Sequence, residues 1–124
     1  MFILRFDFRL KSDSSATMGD LYNASLNMCE WGERNGAMTV MFSEHHTSPD
    51  GYLPSPIIMA AAAAARTEKL TFNVGALLLL MYDPIKLAED IAVLDHLSNG
   101  RVGYTLGLGL SLIHISEPTR LSVI

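Results

Sequence analysis

Residues 70–106 read LTFNVGALLLLMYDPIKLAEDIAVLDHLSNGRVGYTL. An apolar, strand-like run from Leu70 to Leu80 ends just before Asp83-Pro84. That pair suits a helix start, because aspartate can cap the free amides and proline fits the first turn. Leu87, Ile91 and Leu94 then recur at helical spacing and mark one buried face. Asn99-Gly100 is a helix stop, and Arg101 to Leu106 is strand-like again. Strand, helix and strand in a span of roughly 30 residues is the pattern of a parallel βαβ unit.

The same pattern repeats toward the amino terminus. Met38 to Phe42 is an apolar run that ends in the polar string Ser43-Glu44-His45-His46. Thr47 to Pro54 carries Pro49, Asp50 and Gly51, which is turn chemistry. Ser55-Pro56 predicts a second cap-and-proline start, for an alanine-rich helix that reaches Arg66 and whose small side chains let it lie close to a sheet. Earlier still, Phe2 to Phe8 is a β-rich run. Thr17 and Asp20 have the spacing of a short-armed capping box, and Met18, Leu21, Tyr22, Ser25, Cys29 and Gly32 share one helical face, with Gly36 as terminator. The predicted order is β-α-β-α-β-α-β, an α/β class with a parallel sheet. A closed barrel takes eight strands and about 250 residues, so these four strands and three helices predict a partial (β/α)8 TIM barrel. A free-standing four-stranded α/β sheet is the competing reading.

Composition narrows the function classes. The chain has 124 residues, 49% hydrophobic and 18% charged, with a net charge of −4 and no cluster of lysine and arginine. Nucleic acids and anionic membranes need a basic patch, so neither is expected as a partner. The longest apolar runs, Ile57 to Ala65 and Gly75 to Tyr82, fall short of the ~20 residues that cross a bilayer. Met1 to Phe8 is interrupted by Arg5 and Asp7, unlike a secretory leader. Cys29 is the single cysteine, which excludes an internal disulfide framework and fits a reducing cytoplasm. On the buried face of its helix it reads as an inert thiol.

The pattern breaks at Leu110. Leu110 to Arg120 resembles a one-frame translation of a transposase-type sequencing-library adapter. Residues 1–109 are therefore expected to be the native part and 110–124 a non-native tail, in which His114 carries no function. A fifth short strand is the competing reading of the tail.

In parallel α/β proteins chemistry gathers at the carboxyl ends of the strands. Four places qualify: Arg9 to Lys11, Ser43 to His46, Leu77 to Tyr82, and Gly107 to Gly109. Glu44-His45-His46 is chemically the richest. A histidine moves protons near neutral pH, and a neighbouring carboxylate can fix its tautomer. Adjacent residues of a strand point to opposite faces, so His45 and His46 make a poor pair of ligands for one ion. No HExxH-like spacing occurs, and no metal is expected. A metal-dependent hydrolase using Glu44, His45, His46 and His96 is the reading this disfavours. Glu89, Asp90 and Arg101 are expected to form internal ion pairs, and Trp31 to pack at the end of its helix.

The string Phe42-Ser-Glu-His-His, then Asp50-Gly-Tyr-Leu-Pro-Ser-Pro56, Ala65-Arg-Thr-Glu-Lys-Leu70, Asn73-Val-Gly-Ala, Asp83-Pro84 with Leu87-Ala-Glu-Asp90, and Leu94-Asp-His-Leu-Ser-Asn-Gly-Arg101 resembles the bacterial luciferase-like monooxygenases. Six pieces in order, from Phe2 to Gly109, carry the likeness. It implies the amino-terminal part, somewhat under half, of a (β/α)8 enzyme using reduced FMN or, alternatively, a reduced deazaflavin. By position His45 is implied as the catalytic histidine. It would assist oxygen activation in the flavin enzymes or guide hydride transfer in the deazaflavin ones, with Glu44 beside it in the same catalytic motif. His46 is implied to line the pocket or pack.

The resemblance also implies a non-proline cis peptide and bulge near Ala76, Leu77 and Leu78. Those residues, with Gly107, are the expected cofactor contacts. The implied function is a flavin-dependent monooxygenase acting with oxygen on a small organic substrate. A non-catalytic flavin-binding relative is the alternative. A flavin reductase and a homodimer are the implied partners, in the cytoplasm. Luciferases proper carry a reactive cysteine and a phosphate-binding arginine at the end of the fourth strand. Here Gly107 and Leu108 stand there, which argues against light emission and long-chain aldehydes.

Overall fold

A computed structural model describes residues 1–109. The tail expected from residue 110 lies outside the described residues. Strands β1 (Phe2–Phe6), β2 (Ala37–Phe42), β3 (Thr71–Leu78) and β4 (Val102–Gly107) alternate with helices α1 (Met18–Arg34), α2 (Pro56–Ala65) and α3 (Pro84–Ser98). A single 3-10 turn, Leu79–Met81, follows β3. The strands form one parallel sheet in the order β1-β2-β3-β4. A doubly wound sheet reverses its strand order at a switch point, whereas consecutive neighbours are the staves of a barrel wall. The described residues are thus a partial (β/α)8 barrel.

Two of the three predicted caps and the stop at Asn99 form as the sequence predicts. Thr17 Oγ1 accepts from the Asp20 amide at 3.1 Å, and the Asp20 carboxylate accepts from the Thr17 amide at 2.8 Å, closing a capping box. Asp83 caps α3 through the amides of Ile85 and Lys86 at 3.0 and 2.9 Å. Asn99 takes the left-handed conformation, φ +54°, and ends α3. Ser55 stands at the α2 cap position but its side chain makes no cap bond.

Residues of even number on the strands, as far as Val74 on β3 and Tyr104 on β4, meet the helices. Phe6, Phe42 and Phe72 form an aromatic row across β1, β2 and β3, with successive ring centroids 6.1 Å apart. Val40, Val74, Cys29, Ala60 and Ala63 are wholly buried around it. The alanines of α2 bring that helix close, as does Gly32 on α1, where a Cβ would lie 2.8 Å from Leu4 Cδ1. Burial pushes the Cys29 thiol up to about 11, so it stays protonated. Trp31 lies 6.0 Å from the Phe2 ring but is half exposed. The opposite sheet face, carrying Ile3, Arg5, Asn73, Gly103 and Thr105, is open or partly open. No helix among the described residues is long and apolar enough to cross a membrane.

The amino ends of the strands carry a correction. Arg101 makes no ion pair with Glu89 or Asp90. Its guanidinium donates to the Ser98 carbonyl at 2.7 Å, Ala64 at 2.8 Å, Leu70 at 2.9 Å, and the Thr67 carbonyl and hydroxyl, both at 3.0 Å. Asp90 pairs with Lys86 instead. The end of α2 leaves carbonyls without helical partners, and a planar five-donor fork can serve them where a carboxylate could not.

Candidate active site

At the carboxyl ends of the strands, Ser43 to His46 continue β2 beyond its last ladder residue. Glu44 and His45 separate there. The Glu44 side chain has no exposure and makes three hydrogen bonds. The Leu78 amide donates to Oε2 at 2.7 Å, the Tyr82 hydroxyl to Oε1 at 2.9 Å, and His46 Nε2 lies 2.7 Å from Oε1. The carboxylate therefore faces His46 and not His45. A neighbour fixing the His45 tautomer is not what the structure holds. Residues two apart in an extended chain share a side, and adjacent ones do not.

His45 is exposed. Its backbone amide donates to the Leu53 carbonyl at 2.9 Å, which folds the following loop back against the end of β2. Gly51 makes that return at φ +75°. Tyr52 is thereby laid beside the imidazole, with ring centroids 5.0 Å apart. The Arg9 guanidinium lies over the Tyr52 ring, 5.5 Å from its centroid. Arg9 is held by Asp7 through bonds of 3.1 and 3.0 Å, and this pairing lowers the Asp7 carboxyl below its ordinary range. A cavity of about 520 Å³ opens here between the loops after β1 and β2, walled by Asp7, Arg9, Lys11 and Asp50.

The sequence singled out Arg9 only as part of a strand end, and gave Tyr52 no role. The one local signal for Tyr52 is its place directly after Asp50-Gly51, the turn that brings it over His45.

The expected cofactor contacts divide. Ala76 and Leu78 are partly exposed, and Gly107 stands opposite them, so close that a Cβ there would lie 2.9 Å from Ala76 Cβ. Leu77 is wholly buried on the helix side, so its side chain is not available to a ring. The register of β3 against β4 shifts between Gly75 and Leu77, and the Gly75–Ala76 peptide is cis. Gly75, Ala76 and Gly107 together make a floor, with the Leu78 side chain beside Gly107 and those of Asn73 and Thr105 beside Gly75. The face of a flat ring system can lie against such a floor, which is the shape an isoalloxazine would need there.

The hydrolase reading does not fit. Glu44 is committed to Leu78, Tyr82 and His46, and the His45 ring lies beside Tyr52. Among the described residues, no three His, Cys, Asp or Glu side chains converge on a metal position.

The model of the luciferase-like monooxygenase family matches residues 3–116. The chain is 34% identical to 4-hydroxyprotoasukamycin monooxygenase of Streptomyces nodosus subsp. asukaensis, covering 71% of this chain and 23% of that protein. It is 29% identical to the oxygenase component of flavin-dependent trigonelline monooxygenase of Acinetobacter baylyi, covering 75% of this chain and 26% of that protein. Among solved structures it resembles the oxygenating constituent of 3,6-diketocamphane monooxygenase from Pseudomonas putida, determined in complex with FMN. There the TM-score is 0.78 at 27% identity, over 91% of this chain and 32% of that one. The chain thus spans less than a third of the length of these relatives. A parallel run of barrel staves in sequence order, continuous with a family match along nearly all its length, identifies this chain as belonging to the luciferase-like monooxygenase family.

Proposed function

We propose that the whole protein carrying this chain is a flavin-dependent monooxygenase that uses reduced FMN and oxygen on a small organic substrate. The observation that carries this reading is the position of His45, exposed at the end of β2 and one strand from the Ala76–Gly107 floor. Reduced FMN would supply the two electrons that let one oxygen atom enter the substrate while the other leaves as water. Gly75, Ala76, Leu78 and Gly107 would support the ring. His45 would give or take the proton that this oxygen chemistry requires, with Tyr52 setting the tilt of its imidazole. The Acinetobacter relative is named an oxygenase component, which supports a separate reductase as the source of reduced flavin.

The test uses the whole protein. His45→Ala should leave the Kd for FMN within about threefold, because the floor is untouched. Turnover measured by oxygen uptake should fall by about 10² or more, the usual contribution of a positioned proton donor or acceptor. An unchanged kcat removes His45 from the mechanism. Failure of the unaltered protein to bind FMN removes the cofactor.

A further inference from the structure

We propose that Glu44 is a positioning residue whose buried carboxylate locks the carboxyl end of β3, and with it the cofactor floor, to the end of β2 that carries His45. The consequence for FMN rests on the reading above; the lock itself does not.

The ladder between β2 and β3 ends at Phe42 and Val74. Past that point β3 bulges, and its residues 77 and 78 pair only with β4. The side of β3 that faces β2 has therefore lost its backbone partner just where the floor begins. Glu44, two residues beyond Phe42, takes over. Its Oε2 receives the Leu78 amide at 2.7 Å, a side-chain bond in the place of a ladder bond. Its Oε1 receives the Tyr82 hydroxyl at 2.9 Å, which ties down the turn that follows β3.

Its two oxygens accept from the Leu78 amide and the Tyr82 hydroxyl, and a carboxylate so deeply buried is tolerated only when it is satisfied in this way. Burial, and then the Glu44 carboxylate, push the Tyr82 hydroxyl above its ordinary pKa, so it remains a donor at working pH. His46 supplies the third contact and walls a smaller cavity beside Met81 and Tyr82. With no exposed surface, Glu44 cannot touch a substrate. Its action has to pass through Leu78 and Tyr82.

The experiment compares Glu44→Gln, Tyr82→Phe and His45→Ala in the whole protein by amide hydrogen exchange over residues 76–82, followed by FMN titration. Glu44→Gln should speed exchange of the Leu78 amide at least about tenfold and weaken FMN binding by about tenfold. Tyr82→Phe keeps the carboxylate and deletes one donor, so it should move both readouts the same way by about threefold. It carries the test if the Gln variant does not fold. His45→Ala should move neither. Wild-type exchange at Leu78 in Glu44→Gln overturns the proposal, and so does altered exchange with an unmoved Kd. If the unaltered protein binds no FMN yet exchange at Leu78 still depends on Glu44, the lock stands and the cofactor reading falls.

Discussion

At the amino ends of the strands Arg101 donates five hydrogen bonds, joining α2, the Thr67 to Leu70 loop and β4. At the carboxyl ends Glu44 makes three, joining β2, β3 and the turn after β3. Both are charged groups drawn into the fold and satisfied by neighbours far away in sequence. The difference lies in what stands beside them. Arg101 packs over Phe72, with its centre 5.7 Å from the ring, and near the Glu33 carboxylate, which is itself held by three amides. The residue next to Glu44 is His45, exposed and held only by its backbone and a tilted tyrosine. One end of the sheet uses its anchor to close the structure. The other uses it to tie β3 and its turn to β2, beside an imidazole that is left exposed.

Arg101→Ala is the sharpest way to break that contrast. It strands the carbonyls of Ala64, Thr67, Leu70 and Ser98, and opens a gap over Phe72. Unsatisfied part-buried acceptors and lost packing together should cost about 3 kcal/mol. Denaturant titration of the whole protein checks this, and FMN affinity measured well below the new midpoint should be unchanged. A loss below about 1 kcal/mol would mean that water replaces the guanidinium and that this end is not the scaffold.

The two ends were also unequally legible in the sequence. Local rules sufficed for the frame: Thr17 with Asp20, Asp83 with Pro84, and Asn99 each act through bonds to residues within four positions. The triplet at 44–46 was visible as chemistry because it ends a strand in a parallel fold. The partner of Glu44 was not, since adjacency in sequence suggested His45 while alternation along the chain delivers His46. Leu78 and Tyr82 come to Glu44 across more than thirty positions, through a backbone amide and a hydroxyl that carry no sequence signature. Arg101 was misassigned for the same reason. Its acceptors are carbonyls, which every residue has, while Glu89 and Asp90 were conspicuous only by charge. Leu77 was placed with Ala76 and Leu78 as a ring contact, but the bulge turns it into the core.

A smaller effect should separate the ends in the opposite sense. Gly107→Ala places a methyl 2.9 Å from Ala76 Cβ, so one strand has to shift by some tenths of an ångström. Overpacking of this size costs about 1 kcal/mol, because β4 can bow slightly. The shift falls on the floor itself, so FMN affinity should drop by about tenfold, while the denaturant midpoint falls only by what about 1 kcal/mol produces, well short of the Arg101→Ala shift. Equal FMN binding by the two proteins would show that the ring does not lie against Gly107.

The smallest expected effect concerns Glu33 and reads through pH. Burial alone would raise its pKa, but the amides of Lys69, Leu70 and Glu68, at 2.6, 2.8 and 2.9 Å, outweigh it and hold the carboxyl below its ordinary value. The unfolded chain, where the same group has a pKa of about 4.3, then binds the proton more readily than the folded one. Glu33 therefore adds stability above that value, and the contribution fades as pH falls through the folded pKa. Glu33→Gln keeps the shape and loses the charge, so it should cost about 1 kcal/mol at pH 7. Asp7, Asp20 and Asp50 are also held below their usual range, but they titrate alike in both proteins and cancel in the difference. Denaturant midpoints should converge as pH drops from 6 to about 3.5. A gap that stays constant over that interval would mean that the three amides hold Glu33 by shape alone, and that charge at the amino end of the sheet does no more than fill space.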